Sequence, residues 1–160
     1  MKPANLGARI GAAFSLKRSF TRDDSGATAV EFALIVPFLL MLCVGTFQFG
    51  ITINNYLELT DGVRAGGRQF AISRSSATPY STSVAQVKSS AANLTAANVT
   101  VTTKINGTAC ASDATCSTAL NAAAGGTATT IATYPCNLTV MGVNFAPSCT
   151  LTSTTSDMIE

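Results

Sequence analysis

Between Glu31 and Glu58 no residue carries a formal charge, and from Phe32 to Ile53 nearly every side chain is apolar. A helix over that apolar run spans roughly 33 Å, against a hydrocarbon core of about 30 Å. The run predicts a membrane-spanning helix, and the rest of the chain must be arranged around it. Glu31 stands at its entrance, where an ionisable group is costly and has to be accounted for.

Charge sets the direction. Residues 1–26 carry Lys2, Arg9, Lys17, Arg18 and Arg22 against Asp23 and Asp24, whereas residues 27–160 carry five bases against six acids. A basic leader before an apolar run holds the N-terminus in the cytoplasm. The reading is therefore a single-pass protein, with its leader inside and everything beyond about Ile53 outside. Leu6, Ile10, Phe14 and Leu16 give the leader the pattern of a short amphipathic helix.

The helix is expected to outlast the membrane. Tyr56, Leu59, Val63 and Phe70 recur at helical spacings, with polar residues between them. One helix is predicted from about Ala27 to about Ile72, membrane-spanning over 27–53 and amphipathic over 54–74. Pro37 removes a backbone donor within it, which predicts a kink near Ala33. Gly62, Gly66 and Gly67 each weaken its outer part by nearly 1 kcal/mol relative to Ala. That part should need packing against the remainder of the chain.

Residues 75–160 read as a small Ser/Thr-rich β domain. Its pieces are a loop at Ser75–Ser83, a short helix at Val84–Leu94 and a strand at Asn98–Ile105 closed by the turn Asn106-Gly107. A loop with a turn of helix follows over Ala109–Gly126. Further strands are expected at Thr127–Thr133, Leu138–Phe145 (irregular at Gly142) and Thr150–Thr154. Residues 73–160 hold about thirty Ser or Thr but only three aromatics, Tyr80, Tyr134 and Phe145, too few for a large independent core. The fold class is α+β: a long N-terminal helix with a small antiparallel sheet packed on its outer part.

Cysteines supply further support. Cys43 lies in the apolar run, and Cys110, Cys116, Cys136 and Cys149 lie outside it. An even number in an exported segment reads as two disulfides. Of three connectivities, Cys110–Cys116 with Cys136–Cys149 is favoured because each closes a local loop. The spacing does not fit a zinc knuckle, and there is no His to complete one.

Several function classes lose support. Without His, a nucleophile motif or an acid pair, no enzyme, cofactor or metal site is expected. No basic patch with interleaved aromatics points to nucleic acid. Gly62–Gln69 has the glycine spacing of a phosphate loop but lacks its Lys and Ser/Thr. The Asn-x-Thr sequons at Asn93, Asn98, Asn106 and Asn137 arise easily in so Asn- and Thr-rich a segment. Leu40–Cys43 resembles a lipoprotein site, but Leu42 is too large before the cysteine. Glu31 keeps two readings: an interfacial acid favoured by the helix dipole, or one partner of an ion pair within an assembly.

Basic leader, Gly26, an acid five residues later, Phe32 and the apolar helix together resemble a class III signal for a prepilin peptidase. The run Gly26-Ala-Thr-Ala-Val-Glu31-Phe32-Ala-Leu-Ile-Val-Pro37, with Phe47-Gln48-Phe49-Gly50 and Val63-Arg64-Ala65-Gly66-Gly67-Arg68-Gln69-Phe70-Ala71, is similar to TadE-like minor pilins (pseudopilins) of the tight-adherence Flp type IV pilus system. The likeness covers roughly residues 22–73. Gln48 stands where an acid is common, and Gly67 where Ala is usual. Its length matches TadE and TadF relatives alike.

The resemblance implies cleavage between Gly26 and Ala27, and an assembly contact through Glu31 and Phe32. It implies as partners the prepilin peptidase, other minor pilins, the major Flp pilin and an inner-membrane assembly platform. The role implied is a structural subunit that initiates, primes or caps the pilus. The alternative is a single-pass membrane adhesin or receptor with a Thr-rich binding domain outside.

Overall fold

The computed structural model describes residues 24–140 and 142–160; the amphipathic pattern at Leu6–Leu16 lies outside the described residues. The chain falls into two units, one ending at Pro37 and the other running from Phe38 to Glu160. The first helix, α1, extends over Asp24–Ala71 with Pro37 inside it. Its bounds lie close to those predicted from the apolar periodicity.

Within the second unit the outer part of α1 is joined by α2 (Pro79–Ser90), a single 3-10 turn (Ala96–Asn98) and α3 (Asp113–Ala122). The strands are β1 (Thr100–Ile105), β2 (Thr108–Cys110), β3 (Thr127–Pro135), β4 (Thr139–Val140), β5 (Val143–Asn144) and β6 (Thr150–Met158). Four of them form an antiparallel sheet in the order β2-β1-β3-β6, and β4 and β5 pair separately.

The β1–β2 hairpin turns at Asn106 (φ 48°) and Gly107 (φ 84°). Both residues are in the left-handed region that a two-residue hairpin turn requires. Asn106 adds a tie of its own, its Oδ1 accepting the Thr127 N–H at 2.9 Å. Alternation then decides the faces. Val99, Val101, Thr103 and Ile105 are buried while Thr100 and Thr102 are exposed. On β3 the inward residues are Ala128, Thr130 and Ala132, small enough for a helix to come close.

Two apolar clusters join helices to sheet. In one, Leu59 and Val63 of α1 meet Val87 and Ala91 of α2, Leu94, Val99, Val101 and Ala132. In the other, Phe70 and Ala71 pack with Ile105, Leu120, Ala128, Ile159 and the Cys110 and Cys116 sulfurs. The sheet thus docks on the outer part of α1.

The three glycines are where that docking is tightest. A Cβ on Gly62 would sit 2.8 Å from the Val87 carbonyl oxygen, and one on Gly66 would strike Val87 Cγ2 and lie 3.0 Å from the Ser83 carbonyl oxygen. Ser83 Oγ donates to the Gly66 carbonyl at 2.9 Å in the same buried contact. Gly67 faces the sheet, its missing Cβ directed at Thr155 Cγ2 and Asp157 Oδ2. The propensity cost expected at these positions is real, and it is offset by close backbone approach.

Four elements differ from expectation. α2 starts at Pro79, five residues before the apolar pattern, because proline suits the first helical turn and Asp113 caps it from a distance. Asp113 Oδ1 accepts the Ser81 N–H at 2.9 Å. The helix also stops at Ser90, and Asn93 just beyond it donates its backbone N–H to Glu58 Oε2 at 3.2 Å. In place of a loop with one helical turn, 109–126 contains α3, whose Ser112 N-cap accepts from the Thr115 N–H. Finally, β6 continues to Met158 because β3 extends back to Thr127 to pair with it, and the irregularity at Gly142 (φ 83°) belongs to the connection between β4 and β5. The Asp61–Arg64 pair forms at 3.7 Å, both side chains exposed, and so contributes little.

Two outcomes are expected. Gly66→Ala should lower the thermal midpoint of the full chain in detergent: overpacking costs about 1–3 kcal/mol and exceeds the ~1 kcal/mol gained in helix propensity. Gly67→Ala, opposed by side-chain ends that can swing aside, should lose less, and Gly50→Ala, with nothing within 4 Å, should lose nothing. A Gly66→Ala protein as stable as Gly50→Ala would refute the close-contact role.

The second concerns Asp113. The Ser81 N–H, foremost among its partners, holds its carboxyl below the ordinary 3.8. A lowered folded-state pKa stabilises at pH values above the unfolded one, and that contribution is lost as pH falls through the folded value. Asp113→Asn should therefore melt below wild type at neutral pH, with the gap closing in acid beneath 3.8. A gap that stays constant with pH would rule out the charge contribution.

Candidate processing and assembly site

Gly26 and Ala27 lie in α1, at the edge of the described residues. Both are exposed, and a Cβ on Gly26 would meet nothing within 4 Å. Glycine here gives the backbone more conformational freedom than any other residue would. The Gly26–Ala27 bond is therefore accessible.

Glu31 is exposed and makes no hydrogen bond or ion pair with a described residue. It is four residues beyond Ala27, so the two positions are neighbours on one helix face. Phe32 beside it is 66% exposed. Glu31 thus has no partner of its own within the described chain, and Phe32 has no pocket.

The apolar residues that follow are exposed on every side of the helix. Leu34, Ile35, Phe38, Leu39, Leu42, Phe47 and Phe49 all lie more than half open. Such a cylinder is stable only when buried in protein or in lipid. This stretch belongs to the one described helix that is long and apolar enough to cross a membrane.

Its hydroxyls suit an apolar medium. Thr46 Oγ1 donates to the Leu42 and Cys43 carbonyls at 3.1 and 2.9 Å, and Thr52 Oγ1 to the Gln48 carbonyl at 3.0 Å. Each is satisfied within its own helix, as a hydrocarbon surrounding demands. Gln48 is half-buried and lines a cleft with Thr52, Asn55 and residues at the end of the sheet.

The cysteines come together in two local pairs. Cys110 and Cys116 are bonded with their Cα atoms 5.2 Å apart, and Cys136 and Cys149 likewise at 5.2 Å. The first pair ties β2 to α3 in the core, where Thr103 Oγ1 donates to the Cys110 carbonyl at 2.8 Å. The second closes the segment that carries β4 and β5. Cys43 is free and exposed in the apolar run. Among the described residues no three His, Cys, Asp or Glu side chains gather as a metal site.

Sequence reasoning missed the polar contacts that tie the domain to α1. Glu58 accepts from Asn54 Nδ2 at 3.1 Å and from Asn93 Nδ2 and N. Arg74 Nη1 donates to the Glu160 carbonyl at 3.2 Å, and the Glu160 N–H to the Ala71 carbonyl at 3.4 Å. An acid at Glu58 in line with Leu59 was the only local hint; its partner lies 35 residues away.

Comparison with known proteins gives one match. Residues 26–68 match the family model of TadE-like proteins. The match opens at the exposed glycine and closes beside the glycine pair that docks the domain. No curated protein and no solved structure gives a match.

Proposed function

Starting from a chain whose residues 26–68 are TadE-like, we propose that it is a minor pilin of a tight-adherence (Flp) pilus. It is cleaved by a prepilin peptidase and then initiates, primes or caps assembly. The observation that carries the reading is the arrangement in the first described residues of α1: an open Gly26–Ala27 bond, a Glu31 with no partner among the described residues and a helix apolar all round. The chain acts as a substrate and a structural subunit, not as a catalyst.

The mechanism follows from those residues. The basic leader keeps the cleavage point on the cytoplasmic face of the inner membrane, and the domain beyond Ile53 lies on the other side. Glycine before the scissile bond lets that backbone open and fit a narrow protease site. Cleavage frees an α-amine on Ala27, one helical turn from Glu31. The amine then pairs with a Glu31 carboxylate, on the same helix or a neighbouring one, where lipid and packed helices make the charge partner matter most. Removing one member of such a pair costs about 3–5 kcal/mol.

Phe32 and the apolar surface beyond it supply the packing face toward other pilins and the assembly platform. Outside the membrane, Cys110–Cys116 and Cys136–Cys149 suit an oxidising compartment and hold a domain with few large apolar residues. A single-pass adhesin or receptor would need neither the cleavage nor the unpaired acid.

Gly26→Val should abolish the shift from precursor to mature chain when the pilus peptidase is co-expressed. N-terminal sequencing should find mature protein beginning at Ala27; any other start would overturn the processing site. Glu31→Ala should be cleaved normally yet vanish from sheared surface fractions analysed by mass spectrometry. Normal incorporation would return Glu31 to an interfacial acid, and absence of the wild-type chain from that fraction would favour the membrane receptor.

A further inference from the structure

The disulfide-closed segment between Cys136 and Cys149 has no part in processing or helix assembly as described above. Its position is set by β3. At one end of that strand Thr130 faces Gly67 of α1. At the other, Pro135, Cys136 and Cys149 share a cleft of about 380 Å³ with Gln48, Ile51, Thr52 and Asn55. From Gly67 to Thr52 a helix advances roughly 22 Å, and from Thr130 to Cys136 a strand advances roughly 20 Å. β3 and the outer part of α1 therefore run side by side in opposite directions. The segment leaving β3 starts beside Gln48, inside the apolar run itself.

This segment carries an exposed apolar tip. Val143 and Phe145 are 57% and 58% exposed, and the sequence has no formal charge between Asp113 and Asp157. Its polar groups largely satisfy one another. The Phe145 N–H donates to the Leu138 carbonyl at 2.9 Å, the Ala146 N–H to Asn144 Oδ1 at 2.9 Å, and Asn144 Nδ2 to Asn137 Oδ1 at 3.2 Å. Internal satisfaction lowers the cost of leaving water.

We propose that the β4–β5 hairpin is a lipid-facing anchor, with Val143 and Phe145 resting in the headgroup region of the bilayer that α1 crosses. This rests on the reading of α1 as membrane-spanning. The occupant is lipid because the base of this uncharged segment lies beside Gln48 and Ile51, within the apolar run of α1 and so at the level where that helix leaves the bilayer. A helix alone leaves its domain free to rotate and tilt about the membrane normal. A second, shallow contact fixes both, as interfacial anchors do for spanning helices.

The chain contains no Trp, so a single introduced one is a unique fluorophore. Full-length Phe47→Trp, Phe145→Trp and Thr118→Trp are each reconstituted in phosphatidylethanolamine/phosphatidylglycerol vesicles containing brominated lipid. The first two should lose most of their emission, Phe145→Trp more to bromine near the headgroup than to bromine deep in the chains. Thr118→Trp, on the exposed side of α3, should keep its emission. Quenching at Phe47→Trp with none at Phe145→Trp would overturn the anchor. A Phe145→Trp blue shift that appears only at high protein density, without quenching, would assign the tip to a second copy and overturn it equally. If Phe47→Trp also escapes quenching, the membrane span has failed, separately from the hairpin.

Discussion

The near-contact of backbone with backbone at Gly62 and Gly66 is what the domain packed on α1 depends on. α1 cannot hold a small domain through large side chains there, because residues 73–160 have few to offer in return. Leaving out the Cβ atoms brings α2 down onto the helix, so that Val87 and Ala91 reach Leu59 and Val63. Gly67 does the same toward β6, and the small inward residues of β3 complete the fit. Burial of modest side chains then becomes sufficient because little space separates the layers.

The same helix is asked for two incompatible surfaces. Up to about Ile53 it is apolar around its whole circumference, whereas beyond Leu59 only one stripe is buried. The stripe begins earlier than the change in composition. Gln48, Thr52 and Asn55 are half-buried in line with Leu59, so the domain reaches back over the end of the apolar run. A polar amide within the apolar run is thereby turned toward the rest of the protein. No free-standing linker separates the anchor from the domain.

What could be read from residue order was what local chemistry determines. The apolar run and its continuation to Phe70 follow from periodicity, and the β1–β2 turn from Asn106-Gly107. A small antiparallel sheet docked on α1 followed from alternation together with a shortage of core residues. But β2 lies where a turn and loop were expected, and the segment expected as the strand Leu138–Phe145 pairs with itself, apart from that sheet. What escaped depends on partners distant in sequence. Asp113 starts α2 from the far side of the fold, and Glu58 holds the loop that follows its end. α3 is built of Ala, Ser and Thr around Cys116 and Leu120, so its apolar stripe is too thin to register as a helix. The glycines were recognised as weak helix formers, but the contact that explains them involves Ser83, Val87 and Thr155, none of which the local sequence connects to α1. At Gly26 and Glu31 the motif was legible in the residue order, and both positions are exposed.

The two ends of the segment that follows α1 meet. Ile159 is buried and exchanges backbone hydrogen bonds with Gly125 and Gly126, and Glu160 is tied to Ala71 and Arg74 at the point where α1 stops. In mechanical terms residues 72–160 form a closed loop attached to a rod. Tension applied along α1 is carried by the helix's own hydrogen bonds and does not pass through the sheet in series. A chain built this way can bear load along the helix while the sheet stays unstressed and keeps its shape.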